Sequence, residues 1–290
     1  MKAAPFEYCP AASLDEAVAL LAGDEDAKVL AGGQSLVPLM AMRLARPSRL
    51  VDLNPIPGLD WVRLDGDRLS LGAMTRHRQV ERHPELRRRC SLIAEAVEQI
   101  GHVAIRNRGT VGGSLAHADP AAEWPALVLA LDAELVARGP AGTRTISAPD
   151  FFTSVFETAL RPDEVLVEVR LGLPSERAGT AVLELSRRHG DFAIAGVVAV
   201  LETDGEGAVQ DARLALFGVG ETAVRARAAE ARLLGERPDD RTIAAAAEAV
   251  DPDLHPSSDL HGSAEYRLHV ARVLTRRALV QARERAGRRP

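Results

Sequence analysis

Two glycine-rich segments constrain this chain more than any other feature: Ala31-Gly32-Gly33-Gln34-Ser35-Leu36 and Thr110-Val111-Gly112-Gly113-Ser114-Leu115. Each follows an apolar run and holds a glycine pair beside a small hydroxyl residue. Paired glycines remove Cβ atoms from a turn and permit positive φ, so backbone N–H groups can come close to a ligand. Neither segment is followed by a phosphate-binding lysine, so neither is a P-loop. No G-x-G-x-x-G opens a helix in the manner of a Rossmann fingerprint. Spacing alone leaves two readings: a pair of tight turns, or two walls gripping a ligand with two phosphates.

The chain divides by texture into residues 1–54, 55–173 and 174–290. The first stretch opens with a capping box, Ser13 with Glu16, ahead of Leu14, Val18 and Leu21 on one helical face. Short apolar strands at Lys28–Ala31 and Leu50–Leu53 give it a βαβ-like texture. In the second stretch Arg68–Ala73 alternates as a half-buried strand does, and Leu92–Ile100 forms a helical stripe ending at Gly101. Asp119-Pro120 reads as a helix start or a plain turn, and Val165–Leu171 as a strand. The third stretch offers strands at Ala181–Arg187, Ala193–Glu202 and Ala212–Val219. Helices follow at Thr222–Leu234, Asp240–Val250 and Ser263–Ala286. Strands first and helices after is an α+β pattern, a helical layer on an antiparallel sheet.

The charge balance, 36 basic against 41 acidic residues, gives no footprint for nucleic acid. Cys9 and Cys90 are the only cysteines. Two thiols cannot hold an iron–sulfur cluster, which takes four, and they do not suggest a disulfide framework, so a reducing compartment fits. The N-terminus lacks the form of a signal peptide, and no apolar run approaches the roughly 18 residues of a membrane span. The expectation is a cytoplasmic protein.

Four segments, in order along nearly the whole chain, carry a family resemblance. Ala31–Met40 (A-G-G-Q-S-L-V-P-L-M) and Arg106–Glu123 (R-N-R-G-T-V-G-G-S-L-A-H-A-D-P-A-A-E) come first. Arg187–Ala193 (R-R-H-G-D-F-A) and His261–Arg267 (H-G-S-A-E-Y-R) follow. Together they resemble the FAD-binding medium subunits of molybdenum hydroxylases, the group of the carbon-monoxide dehydrogenase medium subunit and the flavin part of xanthine dehydrogenase. The resemblance implies a two-lobed FAD-binding domain of the vanillyl-alcohol-oxidase (PCMH) type, with FAD between lobes 1–54 and 55–173. A C-terminal domain at 174–290, a three-stranded antiparallel sheet with helices, would complete the chain.

Site roles follow from the same resemblance. Ala31, Gly32, Gly33, Gln34, Ser35 and Leu36 would wrap the FAD pyrophosphate from one lobe. Thr110, Val111, Gly112, Gly113, Ser114 and Leu115 would approach from the other. Asp119 lies in the second motif, and Glu123 matches an acidic position that meets the adenosine end in relatives. Leu166 matches an apolar position close to the cofactor. Asp191 and Phe192 match a segment whose aromatic lies near the isoalloxazine. Relatives often place Tyr or Trp there, so Phe192 lacks their polar handle. Several also carry a lysine ahead of the Arg pair; here the residues are Leu183-Glu184-Leu185-Ser186, and no lysine is assigned to the flavin.

In that family, substrate is oxidised at a molybdenum–pterin cofactor on a large subunit. Electrons then pass through two [2Fe–2S] clusters of a small subunit to FAD, which hands pairs to a quinone, NAD or oxygen. The implied assembly is a dimer of heterotrimers in which this chain contributes FAD and no metal. Partner surface is expected on the C-terminal domain and the loop His255–Gly262. On this view, removing residues from 174 onward abolishes assembly while leaving some FAD affinity. His117 and His102 read as hydrogen-bonding loop residues with no catalytic role, and His77, His83 and His189 as surface residues. Two alternatives stay open: the flavin subunit of a benzoyl-CoA-type reductase, and a free-standing flavin-binding or accessory protein.

Overall fold

The computed structural model describes residues 2–287. The first lobe is a small parallel sheet built from β1 (Glu7–Pro10), β2 (Lys28–Leu30) and β3 (Arg49–Asp52), in the order β1-β3-β2. Helix α1 (Leu14–Ala22) follows β1, and α2 (Leu36–Ala41) follows β2. The capping box forms as expected: Ser13 Oγ accepts from the Glu16 N–H at 3.2 Å, and Glu16 returns a carboxylate to the Ala12 N–H at 2.8 Å. Strand β1 gave no sequence signal, because Glu-Tyr-Cys-Pro neither alternates nor forms an apolar run.

The second lobe begins with β4 (Val62–Asp65) and β5 (Arg68–Gly72). A helical run follows: α3 (His77–Arg82), α4 (Pro84–Arg89), α5 (Ser91–Gln99), α6 (Val103–Arg106), α7 (Val111–His117) and α8 (Glu123–Ala130). Strands β6 (Glu134–Gly139) and β7 (Gly142–Ser147) form a hairpin. Helix α9 (Ala148–Phe151), the short pair β8 (Phe152–Ser154) and β9 (Glu157–Thr158), and β10 (Val165–Gly172) complete it. The sheet runs β4-β5-β10-β6-β7, antiparallel throughout. Asp119-Pro120 is a turn and not a helix start. Asp119 Oδ1 accepts from the Ala121 N–H and its carbonyl from Ala122, which spends the cap geometry before α8 begins.

The C-terminal sheet has three long antiparallel strands, β11 (Gly179–Ser186), β12 (Ala193–Thr203) and β13 (Val209–Phe217), with a two-residue edge strand β14 (Val224–Arg225). One face packs on α10 (Arg227–Leu233), α11 (Asp240–Glu248) and α12 (Ala264–Arg285) through Val197, Ala199, Leu201, Leu214 and Leu216. The other face does not meet solvent. Val182, Val198, Val200, Ala215 and Phe217 join the core of the second lobe, around Trp124, Leu127 and Leu135. This double burial explains why β12 is an unbroken apolar run. It also bears on the truncation at 174, which would strip one wall from the second lobe's core.

Candidate functional site: a cleft at the first glycine loop

Between β2 and α2 the chain turns through Ala31–Ser35, with Gly33 at φ +72°. The carbonyl of Gly33 accepts from the Val37 N–H at 3.1 Å, and Gln34 Nε2 donates to the Gly32 carbonyl at 3.0 Å. Five successive N–H groups, from Gly32 to Leu36, donate to no acceptor among the described residues. Consecutive free amides in a turn of this kind form an anion-binding concavity. They border a cleft of about 450 Å³ whose lining includes Tyr8, Gly32, Gly33, Asn54 and Arg108. Leu30, Val37 and Pro38 give it an apolar side.

The second glycine segment differs from expectation. It is the first turn of α7, and its amides from Val111 to Ser114 are already used. Val111 donates to Thr75 O at 3.0 Å, Gly112 to Ala73 O at 2.8 Å, Gly113 to the capping hydroxyl of Thr110 at 3.0 Å, and Ser114 to Thr110 O at 3.0 Å. Its glycines answer to packing. A Cβ on Gly112 would lie 2.5 Å from that of Ala73, and one on Gly113 would lie 2.6 Å from Thr110 Oγ1.

The two segments nonetheless touch. A Cβ on Gly32 would sit 2.4 Å from the Arg108 carbonyl oxygen and 2.7 Å from Gly109 Cα, so backbone meets backbone there. A clasp holds the junction. The Arg76 guanidinium donates to the Arg108 carbonyl and, at 2.5 Å, to Asn54 Oδ1. Asn54 Nδ2 reaches Ala31 O at 2.9 Å and Asp52 Oδ1 at 2.5 Å, while the Tyr8 hydroxyl donates to Asp52 Oδ2 at 2.6 Å.

Of the remaining expected residues, Asp119 and Glu123 lie together beyond α7 and do not line this cleft. Glu123 is only 8 % exposed. Burial, then the nearby Glu184 carboxyl, pushes it up to about 8, so it holds its proton at neutral pH. Burial likewise lifts Glu184 to about 7 and raises Asp119. Burial lowers His117, with Asp119 opposing, and its ring lies 5.0 Å from that of Phe156. Leu166 is buried on β10 beside a bulge. Asp191 and Phe192 sit on the exposed turn from β11 to β12, with Phe192 64 % exposed. Gly190 in that turn (φ +88°) packs on His102: a Cβ there would lie 2.9 Å from its ring.

His77 corrects the surface reading: it is 4 % exposed, and its Nδ1 accepts from Trp124 Nε1 at 3.1 Å. Burial, with Arg106 and Arg76 nearby, lowers it to about 3, so it stays neutral. Sequence reasoning also left two arginines inside the motifs unexplained. Arg106 pairs with Glu81 at 2.9 Å and donates to the carbonyls of Glu98, Ile100 and Gly101, closing the C-terminus of α5. Arg267, in the last motif, donates to Ile194 O, to Gly218 O at 3.0 Å and to Asp259 at 2.7 Å. That tethers α12 to the start of β12. Both carry fold, and their place inside motifs was the only signal.

A lobe with five free amides, docked through its glycines onto a helical lobe and bordering a cleft with polar and apolar sides, defines a dinucleotide-type binding protein. Comparison sharpens this. Residues 4–174 match the FAD binding domain in molybdopterin dehydrogenase, and residues 180–282 the CO dehydrogenase flavoprotein C-terminal domain. The chain belongs to the FAD-binding medium subunits of the molybdenum hydroxylases, and its cofactor is FAD. It is 43% identical over 287 residues to the 6-hydroxypseudooxynicotine dehydrogenase complex subunit alpha of Paenarthrobacter nicotinovorans, covering 99% of this chain and 97% of that one. It is 40% identical over 275 residues to the carbon monoxide dehydrogenase medium chain of Hydrogenophaga pseudoflava, covering 94% and 96%. A solved chain of carbon monoxide dehydrogenase from the same organism superposes with a TM-score of 0.96 at 42% identity, over 99% of this chain and 100% of that one. The donor set fits FAD: free amides suit a diphosphate, and the apolar wall suits a ring system. Among the described residues, no helix is long and apolar enough to cross a membrane, and no cluster of His, Cys, Asp and Glu could hold a metal ion.

Proposed function

We propose that this chain is the FAD-carrying electron relay of a three-subunit molybdenum hydroxylase. It would take electrons from the [2Fe–2S] clusters of a small subunit, serve a molybdopterin-bearing large subunit, and deliver electron pairs to an external acceptor in the cytoplasm. The assembly would be a dimer of heterotrimers. The observation that carries the reading is the run of five unpaired amides from Gly32 to Leu36 above the cleft. Names of relatives as subunits and medium chains support membership of a larger enzyme.

FAD, when bound, would supply the one- and two-electron redox chemistry. The chain's own residues bind and orient it. Amides of Gly32, Gly33, Gln34, Ser35 and Leu36 meet the diphosphate, and Ala31 sets the loop against Asn54. Thr110, Val111, Gly112, Gly113, Ser114 and Leu115 act as the rigid turn against which the loop is held. Asp119 and Glu123, which lie outside the cleft itself, would meet only an adenosine end that extends beyond it, with the Glu123 carboxyl protonated and able to donate to an acceptor. Leu166 walls the cofactor. Phe192, exposed on the turn that also holds Asp191, would be free to cover the isoalloxazine. The loop His255–Gly262, where Leu260 is 98 % exposed, offers apolar surface to a partner subunit.

The test is native mass spectrometry of the full chain purified from its host. FAD together with a smaller iron–sulfur subunit and a larger molybdopterin subunit is the expected result. A chain that carries FAD alone would identify a free-standing flavoprotein and overturn the relay.

A further inference from the structure

In the second glycine segment the amides of Val111 to Ser114 are already paired, so a side chain is the available source of positive charge on that side of the cleft. A diphosphate brings two negative charges, which amides meet with partial charges only, so a guanidinium beside them strengthens the site. Arg108 stands in that position. Its carbonyl abuts Gly32 and accepts from Arg76, which fixes its backbone at the loop junction. The residue is exposed and belongs to the cleft's lining, and among the described residues its guanidinium makes no ion pair or hydrogen bond. Arg76 lies close enough that the two cations disfavour one another. The one carboxylate in the lining, Asp52, has both oxygens engaged by Tyr8 and Asn54. An uncompensated guanidinium beside free amides is a site for a doubly charged anion.

Resting on the FAD reading, we propose that Arg108 binds the diphosphate of the dinucleotide together with the amides of Gly32–Leu36, as the cation that neutralises it. No glycine pattern signals this role. It assigns to the Arg-Asn-Arg run of the second motif a division of labour, Arg106 for the fold and Arg108 for the ligand.

The test compares Arg108→Gln and Arg108→Lys with wild type in the full chain and its co-purifying subunits, by flavin titration at several salt concentrations. Riboflavin, which lacks phosphate, and ADP serve as probes beside FAD. The Gln variant is expected to weaken FAD and ADP binding about tenfold, leave any riboflavin binding unchanged, and flatten the salt dependence. The Lys variant keeps the charge and recovers most of the affinity. Thermal stability stays at the wild-type value, because only the backbone of Arg108 takes part in the fold. Wild-type FAD affinity and salt dependence in the Gln variant would overturn the assignment while leaving the flavin reading intact. Failure of the wild-type chain itself to bind either FAD or ADP would overturn both.

Discussion

Replacing Gly32 with alanine tests the junction between the two glycine segments directly. The added Cβ would lie 2.4 Å from the Arg108 carbonyl oxygen and 2.7 Å from Gly109 Cα, so the backbones must part by about 1 Å to reach ordinary contact. Neither neighbour can yield cheaply. The Arg108 carbonyl is held by Arg76, the Gly109 carbonyl by the His77 N–H at 3.0 Å, and the Gly109 amide by Ile105 O at 2.7 Å. Overpacking of this kind costs about 1–3 kcal/mol. For a chain of this size each kcal/mol lowers Tm by about 2–4 °C, so a fall of about 4–8 °C is expected at the middle of that range. Displacing the loop by the same distance removes at least one hydrogen bond to a charged group, worth about 1.5–3 kcal/mol, or roughly ten- to a hundredfold in FAD affinity. Calorimetry of the full chain reads the first effect, and flavin-to-protein ratio after desalting with FAD titration reads the second. Gly205→Ala, where a Cβ meets nothing within 4 Å, is the control. A Gly32→Ala chain with wild-type Tm and full flavin affinity would refute the close-packed junction.

Three further outcomes follow from the same geometry. Glu123→Gln should flatten the pH dependence of stability. The folded state keeps a proton on Glu123 up to about 8, where the unfolded chain loses it near 4.5, so wild-type stability falls as pH rises through that window. The variant's Tm advantage should therefore be near zero at about pH 5 and largest at about pH 8; a constant gap would contradict the buried, neutral carboxyl. A chain ending at residue 174 should be insoluble or molten, because Trp124 and Leu127 lose Val198, Val200 and Phe217; a cooperative thermal transition in that fragment would show that the second lobe folds alone. Arg267→Met should cost at least about 1–3 kcal/mol by orphaning the Ile194 and Gly218 carbonyls, and unchanged Tm would show that α12 needs no such tether.

Most of the architecture was legible because hydrophobic periodicity survives in the long elements. The capping box at Ser13, the stripe ending near Gly101 and the three long C-terminal strands all fall where the pattern puts them. Strand β1 was not legible, since its pairing with β3 depends on backbone supplied from forty residues on, roughly, and not on its own side chains. His77 looked like surface because its helix is polar, yet Gly109 leaves room for its ring against Trp124. The protonated state of Glu123 was equally hidden, because it depends on burial in the folded core and then on Glu184 arriving from a different domain. The glycine motifs were visible as motifs, but sequence cannot say which amides are spent.

That distinction has a dynamic consequence. Gly112 would be required here even without a ligand, since helix α7 must lie on Ala73 and its first-turn amides pair with Thr75, Ala73 and Thr110. Among the described residues nothing accepts from the amides of Gly32 to Leu36, and the loop's ties are the Val37 N–H to Gly33 O, the Leu39 N–H to Ser35 O, the Gln34 side chain and Asn54 on Ala31 O. Opening the loop therefore breaks few protein hydrogen bonds, while opening α7 breaks a connected set. In hydrogen exchange, the amides of 32–36 should exchange quickly in the flavin-free chain and become protected on adding FAD. The amides of 111–114 should be slow in both states. Equal protection gains at the two segments would mean that α7 is also ordered by the cofactor, and that its glycines serve the ligand after all.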